Sequence, residues 1–277
     1  MVQNDLVNLT VMKSYLGLPA GVGPADTVVQ MILSATSVSV LNYLNRDTFL
    51  YRAITERRSG VGGQLMLLHK WPVIQVSNLI VDNVVIPEAP QNAITTEPVA
   101  QTTYQSGWLA NLWNGNSPGN PCQLRLAGYS FRCGNNNIVI NYAAGYLCTD
   151  TPFQIVEGSL VYQVGAPWGN WIGDVSVTDT VTGQELIAGA DYSVVDGQYT
   201  FTSEWIGHSV KVAYSYCPYD VQLAVMEIVN DRFAWRQRPG VKSKGLASQE
   251  TISYDVGHAI PVWATQALQP YMDVQLS

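Results

Sequence analysis

Apolar residues recur at three- and four-residue steps in two long segments of the chain, which predicts two amphipathic helices. The first runs from Asp26 to Leu44, and its stripe contains Val28, Ile32, Ala35, Val38, Leu41 and Leu44, widened by Val29, Met31 and Val40. Because this stripe is wide for a surface helix, we expect the helix to pack against both a sheet and a second helix. Asp26 is predicted to cap its first turn.

The second long helix is predicted to begin at Pro218, because proline is favoured in the first turn of a helix. Its apolar positions include Val221, Val225, Ile228, Val229 and Phe233. Two shorter helices are predicted at 10–16 and 261–268.

Between the helices, short apolar stretches alternate with turn residues, a pattern typical of antiparallel sheets. Strands are predicted at 49–56, 64–68, 74–81 and 84–86. The Gly60–Gly63 run lacks the Lys-Ser/Thr pair of a phosphate-binding loop, so we interpret it as a hairpin turn. Residues 87–121 are predicted to form a long loop with a little strand, with its aromatic residues either pinned to the core or contacting a partner.

The stretch from Asn137 to Tyr146 is predicted to be a strand that ends abruptly at Gly145. The segment Val210–Tyr216 partly repeats it and leads directly into the second long helix. Between them lie short strands with an Asp196-Gly197 hairpin signal. We therefore interpret residues 147–216 as an inserted module whose two ends lie close together in space.

These elements predict an α+β fold with two parts. Residues 1–146 and 217–277 would form a discontinuous core, a small helical bundle with an antiparallel β-sheet. Residues 147–216 would form the inserted all-β module, which we expect to resemble a β-sandwich. A module of this size lies within the range that folds independently.

Charged residues make up 13% of the chain, whereas about a quarter is usual. A surface so poor in charge must either present Asn, Gln, Ser, Thr and Tyr to water or be covered by neighbouring subunits, and the second interpretation suits a protein inside an assembly. The net charge is -7, and Arg125 and Arg132 are the only basic residues from Trp71 to Val210. This acidic middle argues against binding nucleic acid by counterion release, and is compatible with a surface that nucleic acid slides past.

The four cysteines, at 122, 133, 148 and 217, include no CxxC pair, so a zinc signature is absent. We expect buried or idle thiols in a reducing compartment, with a Cys122–Cys133 disulfide as the alternative. No signal peptide or apolar run of about 18 residues is present, which predicts a soluble protein made in the cytosol. We expect no metal and no cofactor.

No catalytic motif stands out, and we predict that the protein is not an enzyme. The histidines at 69, 208 and 258 lie outside any nucleophile motif, although a triad assembled in space stays an alternative. Trp168 and Trp171 lie in one loop. They would either pack that loop or stack on a sugar, as in a carbohydrate-binding module.

A basic group follows the end of the second long helix. The candidate interface residues in and around it are Arg232, Trp235, Arg236, Arg238, Lys242 and Lys244. The simplest alternative is a solvated helix end. Its separation from the acidic middle of the chain favours an interface with an acidic partner surface or with phosphate groups.

The order of these parts resembles the head–tail connector (adaptor) proteins of tailed bacteriophages, which form the ring beneath the portal. The matching pieces are Val11–Leu18, Asp26–Leu44, Asn45–Phe49, Leu67–Ile74, Ile138–Tyr146 and the helix that begins at Pro218. The module at 147–216 and the long loop before Cys122 depart from the family pattern, so the resemblance implies nothing about their roles.

The resemblance implies a structural virion protein of the neck, at the head–tail junction, which forms a twelve-fold homo-oligomeric ring. That ring would dock on the portal protein, extend the DNA channel without sequence-specific binding, and meet a downstream neck or tail protein. The segment from Pro239 onward is the candidate for reaching the portal. The inserted module would face outward or toward the tail. The alternative is a tail or baseplate adhesion protein that binds sugar through Trp168 and Trp171.

Overall fold

A computed structural model describes residues 5–89, 106–113, 119, 121–236, 243–246, 250–253 and 260–273. The helices of this part of the chain are α1 (Leu9–Tyr15), α2 (Asp26–Tyr43), α3 (Tyr219–Trp235) and α4 (Val262–Leu268). They are accompanied by several β-sheets, and the predicted α+β class is confirmed.

The strands range from 2 to 11 residues and begin after the first two helices. Those before the predicted insertion point are β1 (Arg52–Gly60), β2 (Leu65–Leu67), β3 (Val73–Val81), β4 (Val84–Ile86), β5 (Gly107–Ala110), β6 (Gln123–Ala127) and β7 (Gly134–Ala144). Those after it are β8 (Leu147–Thr149), β9 (Phe153–Gln154), β10 (Val161–Gln163), β11 (Gly169–Asp179), β12 (Tyr192–Val195), β13 (Gln198–Phe201), β14 (Ser209–Pro218), β15 (Ser243–Leu246) and β16 (Glu250–Ser253).

The chain divides into two compact units. The first unit contains Met1–Phe49 and Cys148–Met272, and the second contains Leu50–Leu147 and Asp273–Ser277. The helices and strands β9–β16 therefore belong to the first unit, and strands β1–β7 belong to the second. The boundaries of a module inserted at 147–216 stay a prediction about how the chain is organised.

The second unit is organised around β7, the strand predicted at Asn137–Tyr146. It lies between β1 and β3 in a sheet of order β1-β7-β3-β4, and both pairings are antiparallel. Ile138 and Ile140 on this strand are fully buried, in one core with Leu124 of a second sheet of order β2-β6-β5. The central position of β7 explains its run of β-branched residues.

The Gly60–Gly63 run does not form the predicted hairpin. The strands on either side of it belong to different sheets, because β1 pairs with β7 and β2 pairs with β6. Gly60 is required for a different reason, since a Cβ atom at this position would lie 1.8 Å from the carbonyl oxygen of Arg132. The run therefore carries the chain from one sheet to the other where two backbones nearly touch.

In the first unit, α2 packs against α1 and α3, and α3 packs against α4. The buried side of α2 is rotated from the predicted stripe. Its buried residues are Val29, Leu33, Thr36, Ser37, Val40 and Leu41. Thr36 accepts a hydrogen bond from Nη1 of Arg232 at 2.9 Å, and Ser37 accepts one from the Leu6 amide at 3.1 Å. These bonds satisfy the two hydroxyls and make their burial acceptable.

The strands of the first unit form one sheet of order β11-β14-β8, in which β9 also pairs with β14, another of order β10-β13-β12, and a two-stranded sheet of β15 and β16. Strand β8 directly follows Tyr146, and the Asp150 amide donates to the Val212 carbonyl of β14 at 2.9 Å. The two ends of the 147–216 segment therefore lie side by side, as predicted. Strand β14 then passes into α3 at Pro218 without a loop. The predicted Asp196-Gly197 turn joins β12 to β13.

Candidate functional site

One face of α2 is apolar and exposed to solvent. Met31 and Val38 are 65% and 49% exposed, Ala35 is exposed, and Val28 is half-buried. Their spacing places all four on one side of the helix, facing away from the buried side that contains Leu33. We call these four residues, 28, 31, 35 and 38, the α2 stripe.

The whole helix that carries the α2 stripe is almost without charge. Asp26 at its first position is the only charged residue among its 18 residues. The solvent-facing side of a surface helix usually carries charged side chains. Exposed apolar patches on soluble proteins mark interaction sites. The α2 stripe is therefore suited to packing against another protein surface rather than to facing water.

Asp26 fixes the start of α2, but not as the predicted cap. Its side chain makes no capping bond to its own helix. Instead, its carboxylate accepts bonds from Nζ of Lys13 at 2.9 Å and from the Gly23 amide at 3.1 Å. The hydrogen bond from Lys13 is the main reason why the pKa of Asp26 is lowered. This ion pair joins α1 to the beginning of α2.

Helix α4 presents a second uncharged surface in the same unit. Val262 and Trp263 are 62% and 46% exposed, and Gln266 and Ala267 are also exposed. No residue of this helix is charged. We call these four residues the α4 face. The opposite side of the helix is held in the core through Ala264 and Leu268, which are fully buried.

The predicted basic group points in two directions. Arg232 is half-buried, and its bond to Thr36 ties α3 to α2; burial lowers the pKa of its guanidinium. Arg236 at the helix end is exposed, with its guanidinium 4.5 Å from the centre of the Phe233 ring. Trp235 is half-buried. Among the basic side chains of this group that the structure describes, that of Arg236 faces solvent and that of Arg232 is partly buried.

The other predicted members of the group lie in the segment that follows α3. Arg238 and Lys242 are outside the described residues. Lys244 is in β15, where its backbone pairs with Ile252 of β16, and its side chain is outside the described part of the structure. That Arg238, Lys242 and Lys244 form one basic group with Arg236 therefore stays a prediction.

The two tryptophans of the module have different environments. Trp171 is 9% exposed, and its indole N–H donates to the Tyr199 hydroxyl at 3.3 Å. Trp168 is 55% exposed on the preceding loop. That loop is fixed because the Tyr219 hydroxyl donates to the carbonyl of Ala166 at 2.7 Å. Trp171 therefore packs inside the module, and Trp168 is the ring available to a partner.

The net charge of the protein originates in residues 147–216. This segment contains eight acidic residues and one basic residue, Lys211, which accounts for the whole -7. Tyrosine hydroxyls donate to two of its aspartates, from Tyr162 and Tyr214 to Asp150 and from Tyr192 and Tyr199 to Asp174. Burial raises the pKa of these tyrosines, which keeps them neutral donors. The acidic residues that stay exposed are Glu157, Glu185, Asp196 and Glu204.

Asp179 is a fully buried carboxylate at the end of β11. It accepts bonds from the Val181 amide at 3.0 Å, the Thr182 hydroxyl at 2.8 Å and Nδ1 of His208 at 3.0 Å. The bond from Val181 contributes most to lowering the pKa of Asp179 to about 2. The carboxylate therefore holds the 179–184 turn against His208.

The lowered pKa of Asp179 predicts a contribution to acid sensitivity. An aspartate whose folded pKa lies below its usual value of 3.8 stabilises the fold above about pH 4, and this stability is lost as the pH falls from 4 to 2. We expect Asp179→Asn to lower the thermal unfolding temperature at pH 5, and the difference from the wild type to shrink toward pH 2. The exposed Asp196→Asn is the matched control. A difference that does not change between pH 5 and pH 2 would contradict this assignment.

His69 belongs to a cluster around the buried Glu56 in the second unit. Its Nδ1 donates to Glu56 at 3.1 Å, and its Nε2 accepts from Arg58 at 2.6 Å. Tyr142 donates to the same carboxylate at 2.7 Å. Both ring nitrogens of His69 are thus engaged with an arginine and a carboxylate rather than with a hydroxyl or thiol nucleophile.

The four cysteines are free thiols, so the alternative of a Cys122–Cys133 disulfide is wrong. Burial raises the pKa of the Cys122 thiol to about 11 and also raises that of Cys217. Within the described residues, no group of three or more His, Cys, Asp or Glu side chains is arranged to hold a metal ion. The helices in this part of the chain are also too short or too polar to cross a membrane.

The α2 stripe and the α4 face are surfaces that the sequence did not reveal. The apolar pattern predicted Val38 and Ala35 as buried, since apolar residues cover most sides of α2 and hydrophobicity alone does not distinguish them. The available signal was the absence of charge along both helices. When a helix lacks a charged face, the sequence does not indicate which of its sides is exposed to water.

Comparisons with known proteins give a distant structural likeness. No protein-family model matches the chain, and no curated protein matches it. Among solved structures, the chain is similar to a chain described as the neck of an empty GTA particle computed with C6 symmetry. The two share 11% identity at a TM-score of 0.36, over 100% of this chain and 94% of the other.

Proposed function

We propose that this chain is a non-enzymatic structural subunit of the neck of a tailed phage or phage-like virion. It would form a head–tail connector ring that docks on the portal and extends the DNA channel. The order of the matching pieces supports this role, because α1, α2, β7 and α3 follow one another as in the connector family it resembles. The ring number that the resemblance implies is twelve.

The observation that carries the proposal is the α2 stripe. A ring subunit needs surfaces that neighbouring copies cover, since head-to-tail contacts between different patches close into rings. An 18-residue helix with one charged residue and an apolar exposed side meets that need. The low overall charge of the chain, 13%, agrees with a surface that is largely covered in an assembly.

The acidic module is poorly suited to holding DNA. Its exposed carboxylates repel phosphate groups, and Lys211 is its one basic residue. DNA that moves through a channel must not be held by multiple cation–phosphate contacts, because each such contact adds to affinity. The module would therefore tolerate DNA without binding it, or face a neck or tail protein below the ring.

The basic segment after α3 is the proposed contact with the portal. Arg236 is exposed at the helix end, and Arg238, Lys242 and Lys244 follow it in the chain. A run of basic residues complements an acidic surface, which suits docking onto a partner ring. Trp235 would add apolar contact beside these charges.

The proposed portal contact is tested by changing the four basic residues at 236, 238, 242 and 244 to glutamine. Helix α4 stays intact in this variant, unlike in a C-terminal deletion. We expect co-sedimentation with purified portal rings of the same virion to fall at least tenfold. The matched control changes four exposed basic residues elsewhere, Arg57, Arg125, Arg132 and Lys211. Equal loss in both variants would show a general charge effect, and no loss in the first would exclude this docking surface.

The adhesion alternative has weaker support. Sugar-binding platforms stack the ligand on exposed aromatic rings, and Trp171 is buried against Tyr199 while Trp168 alone of the pair is exposed. A glycan array that shows binding lost in Trp168→Ala would favour this alternative over the connector.

A further inference from the structure

Two uncharged helix faces are exposed on the same unit. The α2 stripe (28, 31, 35 and 38) combines two valines and a methionine with one alanine, and the α4 face (262, 263, 266 and 267) combines a valine and a tryptophan with one alanine and one uncharged glutamine. Neither helix carries a charge beyond Asp26 at the start of α2. Each face points away from the buried side of its own helix, so each is presented outward.

A neutral apolar surface favours a neutral apolar partner. A charged side chain placed against the α2 stripe would lose its water without gaining a counterion, which is costly. The exposed side of α3 is unsuitable for this reason, because the exposed Asp220 lies one turn before its apolar Leu223 and the exposed Asp231 lies about two turns after it. Among the described α-helices, α4 alone contains no charged residue, and its exposed face carries large apolar side chains as the stripe does.

The side chains of the two faces also complement each other in size. Ala35 lies in the middle of the α2 stripe, between Met31 and Val38, and has the smallest side chain of the four. Trp263 projects from the α4 face with 46% of its surface exposed. Helices pack with axes about 8–10 Å apart when a large side chain on one fits between side chains on the other.

We propose that the α2 stripe of one copy packs against the α4 face of the next copy. This inference rests on the proposed ring function and names the surfaces that join its subunits. The contact is heterologous, since it joins two different patches. Each copy then contributes one α2 stripe and one α4 face, contacts two neighbours, and allows the assembly to close as a ring.

Cysteine cross-linking of the full-length protein tests this contact. The exposed Cys133 is first changed to serine, and the three remaining cysteines are buried. Ala35→Cys and Ala267→Cys are then combined in one chain and treated with a short bismaleimide. We expect a ladder of covalent multimers, at least tenfold stronger than with Val195→Cys plus Ala267→Cys, where Val195 is 71% exposed but outside both faces.

The two single variants define the type of contact. An equimolar mixture of Ala35→Cys chains with Ala267→Cys chains should give dimers and no larger species. Strong dimers from Ala35→Cys alone would overturn the proposal in favour of a symmetric contact between two α2 stripes. Multimers no stronger than the Val195 control would overturn it as well.

A second measurement separates this contact from the proposed function. Electron microscopy that shows rings of the wild type, together with no specific cross-link, would reject the α2–α4 contact and leave the connector role intact. We expect Met31→Glu to abolish rings while the circular dichroism spectrum stays unchanged. Leu223→Glu on α3 should retain rings. Rings that persist in Met31→Glu would contradict the proposal.

Discussion

Replacing Gly145 with alanine is expected to lower the free energy of unfolding of the second unit by about 3 kcal/mol or more. Gly145 has a φ of +130°, a backbone conformation that residues other than glycine rarely adopt. An added Cβ would also lie 2.5 Å from the carbonyl oxygen of Leu50 and from Cα of Tyr51. Both neighbours are backbone atoms, which cannot rotate away.

Gly158→Ala is the control that separates backbone strain from steric overlap. Gly158 also has a positive φ, +85°, but no atom lies within 4 Å of the position that an alanine methyl group would take there. This substitution should cost about 1 kcal/mol, which reflects the conformation alone. Urea denaturation followed by circular dichroism measures both variants. Each loss of unfolding free energy is measured for the unit that carries the glycine, the second unit for Gly145 and the first for Gly158. Equal losses would show that the overlap at Gly145 is relieved without cost.

Glu56→Ala is expected to destabilise the second unit by about 2 kcal/mol, because it leaves the buried Tyr142 hydroxyl without its acceptor and removes the shared acceptor of the partly exposed Arg58 and His69 side chains. Glu56 is 8% exposed and accepts four hydrogen bonds. These come from the Tyr142 hydroxyl at 2.7 Å, Nη1 of Arg58 at 3.0 Å, and Nδ1 and the amide of His69 at 3.1 and 3.3 Å. The carboxylate thus joins β1, β7 and the segment between β2 and β3.

Three further variants test this role of Glu56. Arg57→Ala, at the exposed neighbouring position on β1, should change stability by less than about 0.5 kcal/mol. Tyr142→Phe removes one of the four donors and should cost about 1 kcal/mol. The double variant Glu56→Ala/Tyr142→Phe should cost less than the sum of the single changes, because the two groups interact directly. A Glu56→Ala protein as stable as Arg57→Ala would contradict the account.

The elements with strong local signals were predictable from the sequence. α2 and α3 were predicted from their apolar periodicity, and β7 from its β-branched run between turn residues. The Asp196-Gly197 hairpin followed from turn chemistry. In each case, the local preference agrees with the tertiary environment, which is the condition under which a short sequence pattern is informative.

Features that depend on distant contacts were not predictable. The buried side of α2 includes Thr36 and Ser37 because Arg232 and Leu6, far away in the chain, donate to them. The hairpin interpretation of the Gly60–Gly63 run was wrong because its two flanking strands pair with partners that follow much later. No local signal reports such pairings.

The candidate site was predicted in part. Arg236 is exposed, as an interface residue must be, whereas Arg232 is bound within the helical unit. For the aromatic residues of the 87–121 segment, pinning to the core and contact with a partner were both predicted. Trp108 is 5% exposed and packs in the core, so this ring is pinned. Composition indicated an assembly through low charge, but it did not identify α2 and α4 as the helices where charge is missing.

Electron microscopy of the purified protein, alone and mixed with portal rings of the same virion, tests the central claim most directly. The connector account predicts closed rings of about a dozen copies, either free or stacked coaxially on the portal. Individual copies in both samples, with portal rings left undecorated at micromolar protein, would contradict it.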